Sequence, residues 1–352
     1  MRDLLQDYDR LAKTGPVGRA VVTSVWGSAP RAEGSCMLAT ADGRIAGSVS
    51  GGCVESATAV EIAEAIGRGT PKLVTFGVTD DRAWEVGLAC GGTIRVFVEP
   101  QVRPEVLDAA RGPGGVVIAT VLDGAAAGAT LWIRDDGSET CALPAELDAG
   151  AVRAAAREAL RRETSTTVEV PGPDGHPARV FVEVFPRQPR LVIFGGVHIA
   201  AALVPLAKAL GYRTIVADGR EAFVSRERFP EADELILAWP AEAFARTGID
   251  AATYVCILSH DPKFDEPALE IALRSPAAYV GAIGSKKTAL SRRERLRASG
   301  FTDEQVGRLR GPIGLDLGGR QPAETALAIL AEMTAVRYAG SGAKLTGRRQ
   351  GR

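Results

Sequence analysis

Between Val17 and Val98 the apolar positions come in short runs, GRAVVTSVW, GSCMLAT, GRIAGSVS, KLVTFG and TIRVFVEP, bounded by glycine, proline and polar residues. Runs of this kind, rich in Val, Ile and Thr, predict strands, and a helical spacing from about Val54 to Gly67 adds one helix, so the stretch is α+β. Ahead of it, MRDLLQDYDRLAKTG has the spacing of an amphipathic helix. GGVVIATVLDG and ATLWIRDDG, then TTVEVPGPDGHPARVFVEVF, predict two hairpins around a helix at about Ala149 to Arg162, with Asp-Gly and Pro-Asp-Gly turns. This second stretch extends the same N-terminal unit, and no internal repeat is visible in the letters.

PRQPR, Pro186 to Arg190, breaks the pattern and marks the domain boundary. Beyond it apolar runs alternate with amphipathic segments: LVIFGG, a helix over 198–210, RTIVAD, a short helix, ELILA, a helix, TYVCILS, a helix over 265–274, AYVGAIG and a helix over 286–298. Such alternation predicts a parallel sheet covered on both faces, a doubly wound, Rossmann-like domain. A last helix is expected from about Pro322 to Tyr338, with Pro and Glu324 at its start. The expected organisation is an N-terminal α+β domain over 1–186, a Rossmann-like domain over 187–340, and a disordered, Gly-rich and basic tail over 341–352.

The 352 residues carry 42 Lys+Arg against 43 Asp+Glu, a net charge of −1. That balance offers no basic face for nucleic acid or anionic lipid. The N-terminus has no signal-peptide pattern and no run of 18 apolar residues occurs, which predicts a cytoplasmic protein. Five scattered cysteines, with no Cys-x-x-Cys pair, indicate neither a disulfide framework nor a zinc ribbon, and three histidines are too few and too far apart for a His-built metal centre.

Chemistry is expected at two sets of loops. In the second domain, Gly195-Gly196-Val197-His198 joins a strand to a helix and Asp218 follows about 20 residues later, the context of a dinucleotide fingerprint. Val197 stands where glycine would let backbone approach a pyrophosphate, which disfavours NAD(P), although the helix start can still receive an anion. His260 and Asp261 follow TYVCILS, Ser285 follows AYVGAIG, and Asp316 precedes the last helix, all where such folds place ligands. His260 and Asp261 are the acid/base candidates.

In the first domain, Ser48-Val49-Ser50-Gly51-Gly52-Cys53 leads into a helix, which puts the Cys53 thiol beside unpaired N–H groups and makes it the candidate reactive cysteine. Cys90 and Gly91, in GLACGG, form a second cysteine and glycine loop, and Arg31, in GSAPR, supplies a cation for a phosphate or carboxylate. Cys36, Cys141 and Cys256 sit in apolar runs and read as buried small hydrophobes.

GSAPRAEGSCMLATADGRIAGSVSGGCVE and GLACGG, then FGGVHIA, SHDPKFDEPALE, YVGAIGSKK and GPIGLDLGGRQPAE, together resemble the XdhC/CoxI family of molybdenum cofactor maturation proteins. The likeness implies a maturation chaperone that does not itself catalyse the hydroxylation. Such a protein binds molybdopterin, protects its sulfurated form and helps insert it into a xanthine dehydrogenase-type hydroxylase; a cysteine desulfurase is a further partner and a homo-oligomer the expected state. The family's two cysteines fall on Cys53 and Cys90, which become the expected molybdenum contacts, with Arg31, Gly51, Gly52 and Gly91 beside them. The family's glycine turn falls on Gly195 to Ala200, with Val197 as the departure. The alternative class is an NAD(P)-dependent oxidoreductase built on the Rossmann-like domain.

Overall fold

Val17–Trp26 is a strand in which both faces are buried, so its apolar letters run on without a polar alternation. In the computed structural model, which describes residues 1–27, 31–77, 92–172 and 176–344, it is the centre of the first of three sheets. The chain divides into two compact units, Met1–Arg187 and Gln188–Arg352.

The first unit contains the same topology twice. Strands β1 (Val17–Trp26), β2 (Cys36–Thr40) and β3 (Ile45–Gly47) are followed by a helix (Glu55–Arg68) and by β4 (Lys72–Phe76) and β5 (Thr93–Glu99). Strands β6 (Val116–Val121), β7 (Thr130–Arg134) and β8 (Glu139–Cys141) are followed by a helix (Ala149–Arg162) and by β9 (Thr166–Pro171) and β10 (Pro177–Phe185). The sheet orders are β3-β2-β1-β5-β4 and β8-β7-β6-β10-β9, antiparallel throughout, and each helix has 14 residues. The expected pair of hairpins is therefore one five-stranded sheet, and the unit is a structural duplication whose halves share no recognisable letters.

Each helix covers the outer face of its own sheet: Ile62 and Ala65 lie on Ala20, Val22, Met37 and Val96, while Val152 and Ala156 lie on Val117, Ala119 and Val180. Gly18 permits the first of these contacts, since a Cβ there would come within 2.4 Å of Ile62 Cγ2. The inner faces meet each other through Val21, Leu38, Phe97, Ile118 and Phe181. A guanidinium is sealed in that seam. Arg19, 0% exposed, pairs through Nη1 with Glu99 Oε2 at 3.0 Å and through Nη2 with Glu183 of the facing sheet, and Arg103 pairs with Glu99 from outside.

The helix at Leu5–Leu11 realises the expected N-terminal amphipathic segment. A helix at Pro104–Arg111, begun by a proline in its first turn, links the two halves and has no counterpart among the expected elements. Cys36 and Cys256 are buried as expected, but Cys141 is exposed, because the run that contains it ends on a three-residue edge strand, all of it exposed.

The second unit is a parallel sheet of β11 (Arg190–Phe194), β12 (Arg213–Asp218), β13 (Glu234–Leu237), β14 (Thr253–Ile257), β15 (Tyr279–Ala282) and β16 (Leu309–Arg310). Its order, β13-β12-β11-β14-β15-β16, is that of the Rossmann fold. Successive strand residues feed opposite cores: Val192, Phe194 and Ile215 pack toward the helices Pro240–Thr247 and Pro262–Arg274, while Leu191, Ile193 and Val216 pack toward His198–Ala209 and Pro322–Arg337. The helix expected over 265–274 begins three residues earlier, at Pro262, because Asp261 caps it. Among the described residues no helix is long and apolar enough to cross a membrane.

Candidate functional site

Strand register sets which loops of the first unit share an end. Cα pairs Val21 with Cys36, Met37 with Gly47, Trp26 with Thr93 and Phe76 with Ile94 put the ends of β1, β3 and β4 and the starts of β2 and β5 at one end of the sheet. Arg31 follows β1, Cys53 follows β3, and the connection bearing Cys90 and Gly91 runs from Gly77 to Gly92. Cys90 and Gly91 lie outside the described residues, as do Ser28, Ala29 and Pro30.

The Ser48–Gly52 loop is folded around the Glu55 carboxylate. Oε1 accepts from Ser48 Oγ (2.6 Å) and from the N–H groups of Val49 (3.2 Å), Ser50 (2.9 Å) and Gly51 (3.1 Å); Oε2 accepts from Ser50 Oγ (2.6 Å) and Gly52 N–H (2.8 Å). Ser50 Oγ in turn accepts from Cys53 N–H and Val54 N–H, both at 3.0 Å. Burial opposes the charge on Glu55, but the two serine hydroxyls and the backbone donors outweigh it and hold the carboxyl at about 2. Gly51 takes φ +83° and Gly52 +121°, backbone that favours glycine. The N–H groups of Gly51 and Gly52, expected to be unpaired beside Cys53, are thus satisfied from within, and the Cys53 thiol is exposed.

Arg31 is exposed and has no ion-pair partner among the described residues. It lines a polar cleft of about 320 Å³ together with Glu33, Ser35, Ser48 and Ser165. Glu33 in this cleft is pushed up by burial, opposed only by the Val25 N–H.

In the second unit the expected dinucleotide turn is closed on itself. A Cβ on Gly195, at φ +109°, would lie 2.6 Å from Ser259 N, and one on Gly196 would lie 1.9 Å from the Phe223 carbonyl oxygen. Asp218, 1% exposed, accepts from Gly196 N–H at 3.0 Å and is held by Arg220 through Nε (2.9 Å) and Nη2 (2.8 Å). Burial opposes the Asp218 charge, while Arg220 and the Gly196 N–H outweigh it and hold the carboxyl below its ordinary range. The turn glycine Gly196 and the fingerprint aspartate Asp218 are therefore bonded to each other. Arg220 is not among the residues that the sequence singles out, although a cation two residues beyond such an aspartate is a readable signal.

Asp265 and Arg292 are further residues that sequence reasoning missed. Ser259 and Arg292 both hydrogen-bond the buried Asp265 carboxylate, Arg292 Nη2 at 2.6 Å from Oδ2. Burial still pushes Asp265 up, against Ser259, Arg292 and the charge of His260. His260 is exposed, and the half-buried Asp261 caps the next helix by accepting from Lys263 N–H at 3.0 Å. Ser285 caps Lys286–Ala298 through Thr288 N–H at 3.1 Å. His198 opens its helix and is exposed, as is Asp316. No three His, Cys, Asp or Glu side chains among the described residues group as a metal site.

A folded-state pKa below the unfolded one contributes stability that is present above the ordinary carboxylate pKa and lost as pH falls. Unfolding of the second unit is therefore expected to show an acid limb that is shallower in Asp218→Asn. Denaturant midpoints measured from about pH 7 down to about pH 3, a range that brackets the roughly 3.9 of a free Asp, check this; parallel limbs would contradict it.

These features define a two-unit protein, a duplicated antiparallel unit with an exposed cysteine loop joined to a Rossmann-type unit. Residues 10–77 match the XdhC and CoxI family, residues 191–333 match the XdhC Rossmann domain, and the chain belongs to this family. It is 27% identical over 320 residues to a probable xanthine dehydrogenase subunit of Bacillus subtilis (strain 168), covering 90% of this chain and 92% of that protein. It is 28% identical over 323 residues to the molybdenum cofactor insertion chaperone PaoD of Escherichia coli (strain K12), covering 91% of this chain and 84% of the relative. A crystal structure of a xanthine dehydrogenase from Bacillus halodurans superimposes with a TM-score of 0.75 at 25% identity, over 97% of each chain.

Proposed function

We propose that this chain is a carrier that takes up the molybdenum cofactor as cargo, protects its sulfurated form and helps insert it into a xanthine dehydrogenase-family hydroxylase. The observation that carries this reading is the exposed Cys53 thiol on a glutamate-anchored loop, at the same sheet end as the exposed cation Arg31. A thiolate is a soft donor suited to a molybdenum centre, and a guanidinium can grip a pterin phosphate through two parallel hydrogen bonds. Exposure suits a group that must give up its cargo. Cys90 and Gly91 remain the proposed second contact. Gly51 and Gly52 act by shaping the loop rather than by donating to the cargo, since Glu55 takes their N–H groups.

The names of two relatives, one a cofactor insertion chaperone and the other a component of xanthine dehydrogenase, support this reading. The NAD(P)-dependent alternative loses support because Arg220 and Gly196 occupy Asp218. Gly195, Gly196, His198, Asp218, Ser285 and Asp316 then belong to the loops past the strand ends of the second unit, where exposed His260 and half-buried Asp261 are offered to a client. The carrier is a cytoplasmic homo-oligomer that receives sulfur from a cysteine desulfurase. Co-expression with a molybdenum hydroxylase in a cofactor-producing host tests it: the hydroxylase should gain activity and sulfurated molybdenum only when this chain is present. Equal activity with and without it would reject the carrier role.

A further inference from the structure

We infer that Glu55 is the positioning residue of the Cys53 loop: its carboxylate gathers six donors from Ser48 to Gly52 and thereby fixes where the thiol stands. This deepens the carrier reading and rests on it for the thiol's purpose, though not for the loop's geometry. Each donor is separately visible, two hydroxyls and four backbone N–H groups, all within 3.2 Å. An ordinary helix-start acid satisfies one or two backbone donors, whereas this one reaches back over seven residues to Ser48. Two glycines in positive-φ backbone let those N–H groups converge. The duplication supplies an internal contrast. In the second half the corresponding connection, between β8 and the helix Ala149–Arg162, is capped conventionally, with Asp148 accepting from Ala151 N–H at 3.0 Å. The gathered loop therefore belongs to the half that carries the cysteine and not to the topology as such.

The test uses the full chain with Glu55→Gln, which keeps side-chain size but turns one acceptor oxygen into a donor facing N–H groups, and Glu55→Ala with and without added formate. Amide exchange is read on the peptide spanning 48–56. Alkylation is read cysteine by cysteine, with exposed Cys141 as reference and buried Cys36 and Cys256 as reporters of unfolding. Both variants should accelerate exchange at 49–52 by about tenfold or more. They should also change the Cys53 to Cys141 alkylation ratio several-fold while Cys36 and Cys256 stay protected, and formate should reverse both effects in Glu55→Ala. Unchanged exchange and ratio would overturn the inference, as would changes accompanied by labelling of Cys36 and Cys256, which mean general unfolding. Molybdenum content of the same preparations separates the two ideas: a loosened loop in a protein whose wild type never carries molybdenum upholds the role of Glu55 and rejects the cargo.

Discussion

Arg19→Met is expected to unfold the Met1–Arg187 unit or bring it to the edge of unfolding. The guanidinium is wholly buried between two sheets, and its partners Glu99 and Glu183 are 3% and 4% exposed. Burial opposes its charge, yet the two carboxylates hold it raised above the ordinary arginine value. Removing it alone leaves Glu183 without a cation and Glu99 held only by Arg103 in an apolar seam, a loss of about 3–5 kcal/mol in comparable buried pairs, set against a total of about 5–15 kcal/mol for a domain. Urea unfolding followed by circular dichroism would show the midpoint collapse. Replacing Glu183 as well, Arg19→Met with Glu183→Gln, should recover much of it, because the penalty lies in the unpaired Glu183 while Arg103 keeps its pair with Glu99. A single variant as stable as wild type would show that the seam tolerates a free Glu183 carboxylate and that the two halves are held by their apolar contacts alone.

Cys53→Ala should stop client activation while leaving the fold untouched. The side chain is exposed, so its loss should alter stability by no more than about 0.5 kcal/mol. The loop keeps every hydrogen bond described for it, because only the N–H of Cys53 takes part in them. A co-expressed hydroxylase should then lose at least about tenfold in activity, the minimum for removing one strong contact of about 1.4 kcal/mol. Cys141→Ala, equally exposed but on the edge strand of the other half, should have no effect. Full activity with Cys53→Ala would remove the thiol from the account.

The second unit is largely legible in the letters because a parallel sheet buried on both faces writes itself as apolar runs spaced by amphipathic segments. The helices at 198–209 and 286–298 stand within a residue of the periodicity. The duplication in the first unit is not legible. What repeats there is strand order, and antiparallel pairing asks only for apolar residues on buried faces, which Ala20, Val22 and Val117, Ala119 meet with different letters. Interactions that depend on register are equally hidden. Arg19 meets Glu99 across a strand pair and Glu183 across two sheets, separations of 80 and 164 residues. The N–H groups beside Cys53 read as unpaired because nothing in the spacing of Ser48, Gly51 and Gly52 says that Glu55, itself an ordinary first-turn acid, folds back onto them. Asp218 reads as a ribose contact for the same reason: its engagement by Arg220 is decided by the turn that brings the guanidinium round, not by composition.

The central claim is that this chain carries the molybdenum cofactor on the cysteine end of its first unit. The direct measurement is the molybdenum and pterin content of the protein purified without oxygen from a cofactor-producing host, wild type beside Cys53→Ala. The account predicts molybdenum and pterin in equal amounts on the wild type and little of either on the variant. Cofactor absent from the wild type, or equally abundant on both, would contradict it.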